Sequence, residues 1–177
     1  MKKLALSALC FGLCYIGSAQ DSNKTLVNEL LKHWQSSKDL SLAVAQAMPD
    51  DAYSFKASPE EMSFGAQMNH IALANANYCA GAIGTANPLA KMPKPGSSPT
   101  EDAKPAAMKN LTTSYDYCID GLREMTDADL QKTVSTRMGS ISKFELFWGG
   151  FTHAAHHRGQ AEVYLRLKGI TPPQYTF

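Results

Sequence analysis

The sequence predicts an all-α domain, a four-helix bundle, and three observations lead there. Apolar residues recur at helical spacings of three and four in four separate segments. No alternating strand pattern of useful length and no internal repeat interrupts them. The chain has 177 residues, which suits one domain better than two. Four amphipathic helices in one domain need a shared core, and a bundle is the simplest way to form it.

The first helix is expected from about Lys24 to Met48, with Val27, Leu30, Leu31, Trp34, Val44 and Met48 on one stripe and Pro49-Asp50-Asp51 ending it. Ser63 is a plausible N-cap for the second, which runs to about Ala82 with Phe64, Met68, Ile71, Asn75 and Tyr78 recurring on one face. Residues 85–105 hold five of the nine prolines and read as a long Pro-rich loop between helices 2 and 3. A connection of that length is either a lid or a span between distant helix ends. The third helix fits Ala106 to Met125, with Leu111, Tyr115, Cys118, Leu122 and Met125 inward. Residues 126–139 are polar and read as irregular. Ser142-Lys143-Phe144-Glu145 has the form of a capping box and opens the last helix. Gly169 stops that helix near Lys168, and Pro172-Pro173 forbid its continuation.

Ahead of these helices lies an export signal over residues 1–19. Lys2 and Lys3 precede an apolar run from Leu4 to Ile16, and Gly17-Ser18-Ala19 offers cleavage after Ala19. The run is shorter than the roughly 20 residues a membrane span needs. The reading is therefore a cleaved leader, a periplasmic or secreted domain over 20–177, and no membrane span. Cleavage takes two lysines and no acids, leaving 15 basic against 16 acidic residues. That balance, without a basic cluster, argues against a nucleic-acid partner. Cys79 and Cys118 remain of the four cysteines. An oxidising compartment permits a disulfide between them; two reduced, buried thiols are the alternative.

The histidines carry the chemistry. Leu146, Gly150, His153, His157, Ala161 and Tyr164 form one stripe of the last helix, and its apolar members mark it as the core face. His153 and His157 thus point inward one turn apart, a spacing that H-x-x-x-H metal motifs use. Two hydrogen-bonded core histidines are the alternative. His156 lies on another stripe, and His33 falls at the surface or boundary of the first helix. Gly149 and Gly150 either leave room for a substrate or admit a close helix neighbour.

Thr152-His153-Ala154-Ala155-His156-His157-Arg158-Gly159-Gln160, followed by Tyr164-Leu165-Arg166-Leu167-Lys168-Gly169-Ile170 and Pro172-Pro173, resembles the C-terminal hallmark of the DinB-like family. Ser63-Phe64-Gly65-Ala66-Gln67-Met68-Asn69-His70-Ile71-Ala72 resembles that family's first motif. The resemblance spans the whole mature chain. It implies an antiparallel-type four-helix bundle, frequent homodimers, and a divalent ion, commonly zinc, nickel or iron. The implied ligands are His70, His153 and His157. Related enzymes use low-molecular-weight cytosolic thiols, and others are described as metal-dependent hydrolases.

Three neutral imidazoles leave a divalent ion its full charge and an open position, the layout of catalytic zinc. The expected function is hydrolase-like or transferase-like catalysis at that ion. A non-catalytic metal or small-ligand binding module of the cell envelope is the alternative. Tyr164 and Asn77, each two turns from a ligand, are candidates for supporting or substrate contacts, or else polar residues of the bundle core.

Overall fold

The computed structural model describes residues 23–136 and 139–175. The expected leader and its cleavage position lie outside the described residues. Four long helices, α1 (Thr25–Ala47), α2 (Phe64–Ile83), α3 (Lys104–Arg123) and α5 (Lys143–Leu167), form the bundle. A short helix α4 (Asp127–Gln131) and a hairpin of β1 (Thr133–Thr136) and β2 (Gly139–Ser142) join α3 to α5. Among the described residues no helix is long and apolar enough to cross a membrane.

Each of α1 and α2 packs against both α3 and α5, so the order around the core is α1–α3–α2–α5. Side-chain pairs fix the directions. Ser41 meets Tyr115 and Lys24 meets Arg123, so α1 and α3 are antiparallel. Gln67 meets Gln160 while Gly81 faces Leu146, so α2 and α5 are antiparallel as well. Asn69 meets Asn110 and Cys79 meets Cys118, so α2 and α3 run parallel. The core is filled by Val27, Leu30, Trp34, Val44, Phe64, Met68, Ile71, Leu111, Tyr115, Leu122, Phe147 and Leu165, all buried. The apolar stripes read from the sequence are the buried ones, with Leu31 and Tyr78 only half-buried.

The parallel pair explains the long Pro-rich loop. Parallel neighbours place the end of one helix far from the start of the next, so the chain must travel back along the bundle. The loop is a span fastened to α2, not a detached cover. Asn69 Nδ2 donates to Glu101 O at 2.7 Å and to Asp102 Oδ1 at 3.0 Å, and Gly96 N donates to Asp102 Oδ2 at 2.9 Å. The loop backbone lies so close to α2 that a Cβ at Gly65 would sit 1.8 Å from the Asp102 carbonyl oxygen. Only glycine fits there.

Helix ends follow the expected chemistry, with corrections. Ser63 Oγ accepts from Ala66 N, and Ser142 Oγ from Glu145 N. Gly84, at φ 85°, supplies the left-handed stop of α2. Helix α3 begins at Lys104, before the expected Ala106, because Pro105 is tolerated in a first turn. Within the stretch read as irregular, residues 127–131 and 133–136 are ordered into a helix and a strand. Thr126 and Asp129 form a reciprocal capping box that starts α4. The hairpin then pairs Thr133 with Ser142 and Thr136 with Gly139. Neither element shows an apolar period, because only Leu130 of α4 is buried and the hairpin is largely exposed.

Two long-range ties hold the frame. Cys79 and Cys118 are bridged, with Cα atoms 5.4 Å apart and a separation of 39 residues. Closing such a loop stabilises by about 4 kcal/mol in the chain-entropy treatment. The Asp127 carboxylate accepts from Leu26 N and Val27 N, at 3.0 and 2.9 Å. It caps α1 from a hundred residues away, where Lys24 offers no side-chain cap of its own. Asp127→Ala should therefore cost about 1 kcal/mol, as cap removals do, and lower the melting temperature by about 2–4 °C. Calorimetry of that variant checks it; an unchanged transition would mean the cap contributes nothing.

Candidate metal centre

The α2–α5 interface places the histidines. His70 comes from the second turn of α2, and His153 and His157 from successive turns of α5. His70 Nε2 lies 3.2 Å from His153 Nε2 and 3.1 Å from His157 Nε2. The three residues are all half-buried. Among the described residues they are the one group of metal-ligating side chains close enough to share an ion. His156 is exposed and its ring turns outward, as its stripe predicts. His33 is half-buried on α1 against Trp148 and Phe151 and is not one of the three clustered histidines.

Hydrogen bonding decides which nitrogens are free. His157 Nδ1 faces Gln67 Oε1 at 3.1 Å and Gln160 Oε1 at 2.9 Å. Carbonyl oxygens only accept, so Nδ1 carries the proton and Nε2 keeps its lone pair. Gln160 is itself oriented, accepting from Gln67 Nε2 at 2.9 Å and donating towards His156 Nε2 at 3.2 Å. This is the support that metal-binding histidines characteristically receive from neighbouring polar groups. Both glutamines lie inside the two family motifs, where the sequence alone gives them no role. A spacing signal is present all the same: Gln67 precedes His70 by three residues and Gln160 follows His157 by three, one helical turn each.

Burial keeps the rings neutral. The pKa values of His70 and His153 are lowered by burial first, and for His153 also by the charges of His70 and His156. His157 falls from 6.5 to about 4, by burial first and then by the charges of His70 and His153. Neutral rings in this arrangement cannot all be satisfied by one another. His70 Nε2 can donate one hydrogen, to one neighbour only. A divalent cation resolves the conflict by accepting all three lone pairs. The spacing from His70 fits as well: its Nε2 lies 3.1–3.2 Å from the other two, and nitrogens so spaced, each about 2.0–2.1 Å from one ion, subtend about 100° there, close to tetrahedral.

The remaining sequence candidates occupy other positions. Tyr164 is buried, with its hydroxyl donating to Met62 O at 2.9 Å and its ring against Phe55 and Phe64. Asn77 is exposed, and its Oδ1 accepts from Asn87 Nδ2 at 2.7 Å, anchoring the start of the loop. Gly149 and Gly150 serve close packing. A Cβ at either position would come within 3.1 Å of Tyr78, and one at Gly150 within 3.3 Å of Trp34. These glycines let α5 approach α2 closely enough for the imidazoles to meet.

A helical bundle with three imidazoles that could hold a metal ion, gathered from two antiparallel helices, defines the class. The chain belongs to the DinB family, whose family model matches residues 20–177. In structure it is similar to a DinB-like protein from Bacillus subtilis, at TM-score 0.68 and 20% identity, over 84% of this chain and 99% of that one. A DinB-like protein from Bacillus cereus is similar at TM-score 0.71 and 20% identity, over 84% and 97%. No curated protein sequence matches the chain.

The sign of the pH dependence follows from the depressed histidine values. In the metal-free protein the unfolded chain binds protons more readily than the folded one between about 6.5 and 4. The stability from neutral burial is complete above pH 6.5 and is lost as pH falls towards 4. Urea unfolding of metal-free protein across that range should show the decline, and His157→Gln should flatten it. Equal slopes in both proteins would contradict the assignment of a neutral, buried His157.

Proposed function

We propose that the chain is an exported metal-dependent enzyme of hydrolase-like or transferase-like type, acting through a divalent ion held by His70, His153 and His157. The convergence of three Nε2 atoms at 3.1–3.2 Å carries the reading. With a neutral ligand set and an open position, such an ion supplies Lewis acidity, sufficient to activate water near pH 7 or to hold a thiolate or carboxylate. The protein's own part is positional. Gln67 and Gln160 lock the tautomer of His157 and raise its basicity as a ligand. The glycine pair seats Tyr78 beside His153, with ring centroids 6.0 Å apart, which fixes the wall next to the ligands. Export is supported by the Lys2-Lys3 start, the apolar run and the small residues before Gln20, and accords with the Cys79–Cys118 bridge.

One observation favours a second reading, a non-catalytic binding module of the cell envelope. The metal-ligating group contains three histidines and no carboxylate, so a general base has not been identified within it. Zinc, nickel and iron are the candidate ions, and a homodimer is a candidate assembly.

Metal quantification tests the site. His70→Ala, His153→Ala and His157→Ala should each remove most of the bound ion, whereas His156→Ala should retain it. Gln160→Ala should weaken metal affinity about 10–100-fold, as loss of a supporting partner does. Wild-type protein that takes up no divalent ion at neutral pH would end the proposal. An esterase, lactonase, amidase and thiol-transfer panel on loaded protein separates the two readings, since only the enzyme turns over. Export is checked by intact mass: protein recovered from the periplasm of a Gram-negative host should begin at Gln20, and retention of Met1 there would contradict cleavage.

A further inference from the structure

Two glycines of α5 fix the path of the Tyr78 side chain. Its Cβ lies 3.1 Å from the place a Cβ of Gly150 would take, and its ring Cε1 lies 3.1 Å from that of Gly149. Gly150 is buried and Gly149 half-buried, so the side chain runs outward from the core across α5. Gly149 and His153 are four residues apart and share one face of the helix. The ring therefore ends on the row of α5 that carries His153, with the two ring centroids 6.0 Å apart.

The hydroxyl at the end of that path is uncommitted. The phenols of Tyr53, Tyr115, Tyr117 and Tyr164 each hydrogen-bond within the protein. Among the described residues the Tyr78 hydroxyl has no such partner, and it is solvent-accessible, not buried. It is a donor beside the histidines, on a ring that packing holds in place. The other flank of the triad differs. There Gln67 and Gln160 commit their side-chain oxygens to His157 Nδ1.

We propose, with the metal reading above as the premise, that Tyr78 is a substrate-contacting residue of the triad. Its phenol donates a hydrogen bond to an acceptor oxygen of a small ligand seated at the histidines. This assigns a ligand class: carboxylates, hydroxamates and esters, which carry an acceptor oxygen next to the group that the ion holds. A phenol has one hydrogen to donate. Donors fixed in advance where negative charge develops on oxygen are among the strongest contributors to catalysis.

Cobalt(II) loaded in place of the native ion reports ligand binding through its visible absorption. Titration with acetohydroxamate should show Tyr78→Phe binding about 10–100-fold more weakly than wild type, as loss of a hydrogen bond to a charged acceptor does. Imidazole fills a metal position through nitrogen and offers no second acceptor oxygen, so it should bind both proteins equally. The variant keeps the ring and its packing, and an unchanged cobalt spectrum before titration shows that the site is intact. In a crystal structure of the wild-type acetohydroxamate complex, the Tyr78 hydroxyl should lie within hydrogen-bond distance of the hydroxamate. Equal acetohydroxamate affinity in the two proteins, or equal weakening of both probes, would overturn the role of Tyr78 and leave the metal site standing. Wild-type protein that takes up no cobalt would overturn the metal reading, and this role with it.

Discussion

Two imidazole nitrogens, those of His153 and His157, held within 3.2 Å of His70 Nε2 set the terms for the whole α2–α5 interface. Burial drives the rings neutral, and neutral rings at that spacing turn lone pairs towards one another. The bundle sustains this because each backbone is fixed independently. Helix α2 is bridged to α3 through Cys79 and fastened to the returning loop through Asn69. Helix α5 is drawn against α2 by the contact of Gly149 and Gly150 with Tyr78. Any small slide of one helix along the other would move His70 out of the space between His153 and His157.

The same geometry explains the unusual connection. A parallel α2–α3 pair needs a crossover the length of the bundle, and residues 84–103 provide it. Its return is fixed at Gly65, where the Asp102 carbonyl occupies the place of a side chain. The Asn69–Asp102–Asn110 hydrogen bonds then join loop, α2 and α3 one residue from the first histidine. The polar residues of the bundle are thus divided by role. One set ties backbones together, and Gln67 and Gln160 orient a ligand.

Much of this was legible in the sequence, and the reasons are specific. Helical periodicity marks α1, α2, α3 and α5 because each buries a continuous stripe, and Ser63 and Ser142 mark two of their starts. The placement of His153 and His157 follows from spacing alone, while His70 was visible only through the family motif. Helix α4 and the hairpin were hidden because they bury almost nothing and so carry no period. Gln67 and Gln160 were overlooked because polar side chains within helices read as solvated. The hydroxyl of Tyr78 was hidden for a related reason: its ring fits the apolar stripe of α2, and only the packing on Gly149 shows where it ends.

X-ray absorption at the metal edge of the purified, metal-loaded protein tests the central claim most directly, because it reports the ligand atoms themselves. The account predicts a first shell of nitrogen or oxygen at about 2.0–2.1 Å for zinc, with imidazole outer-shell scattering from three rings. It also predicts that the three-ring imidazole signal persists unchanged in zinc-loaded His156→Ala protein. A sulfur shell near about 2.3 Å, or a first shell of oxygen without imidazole scattering, would contradict it.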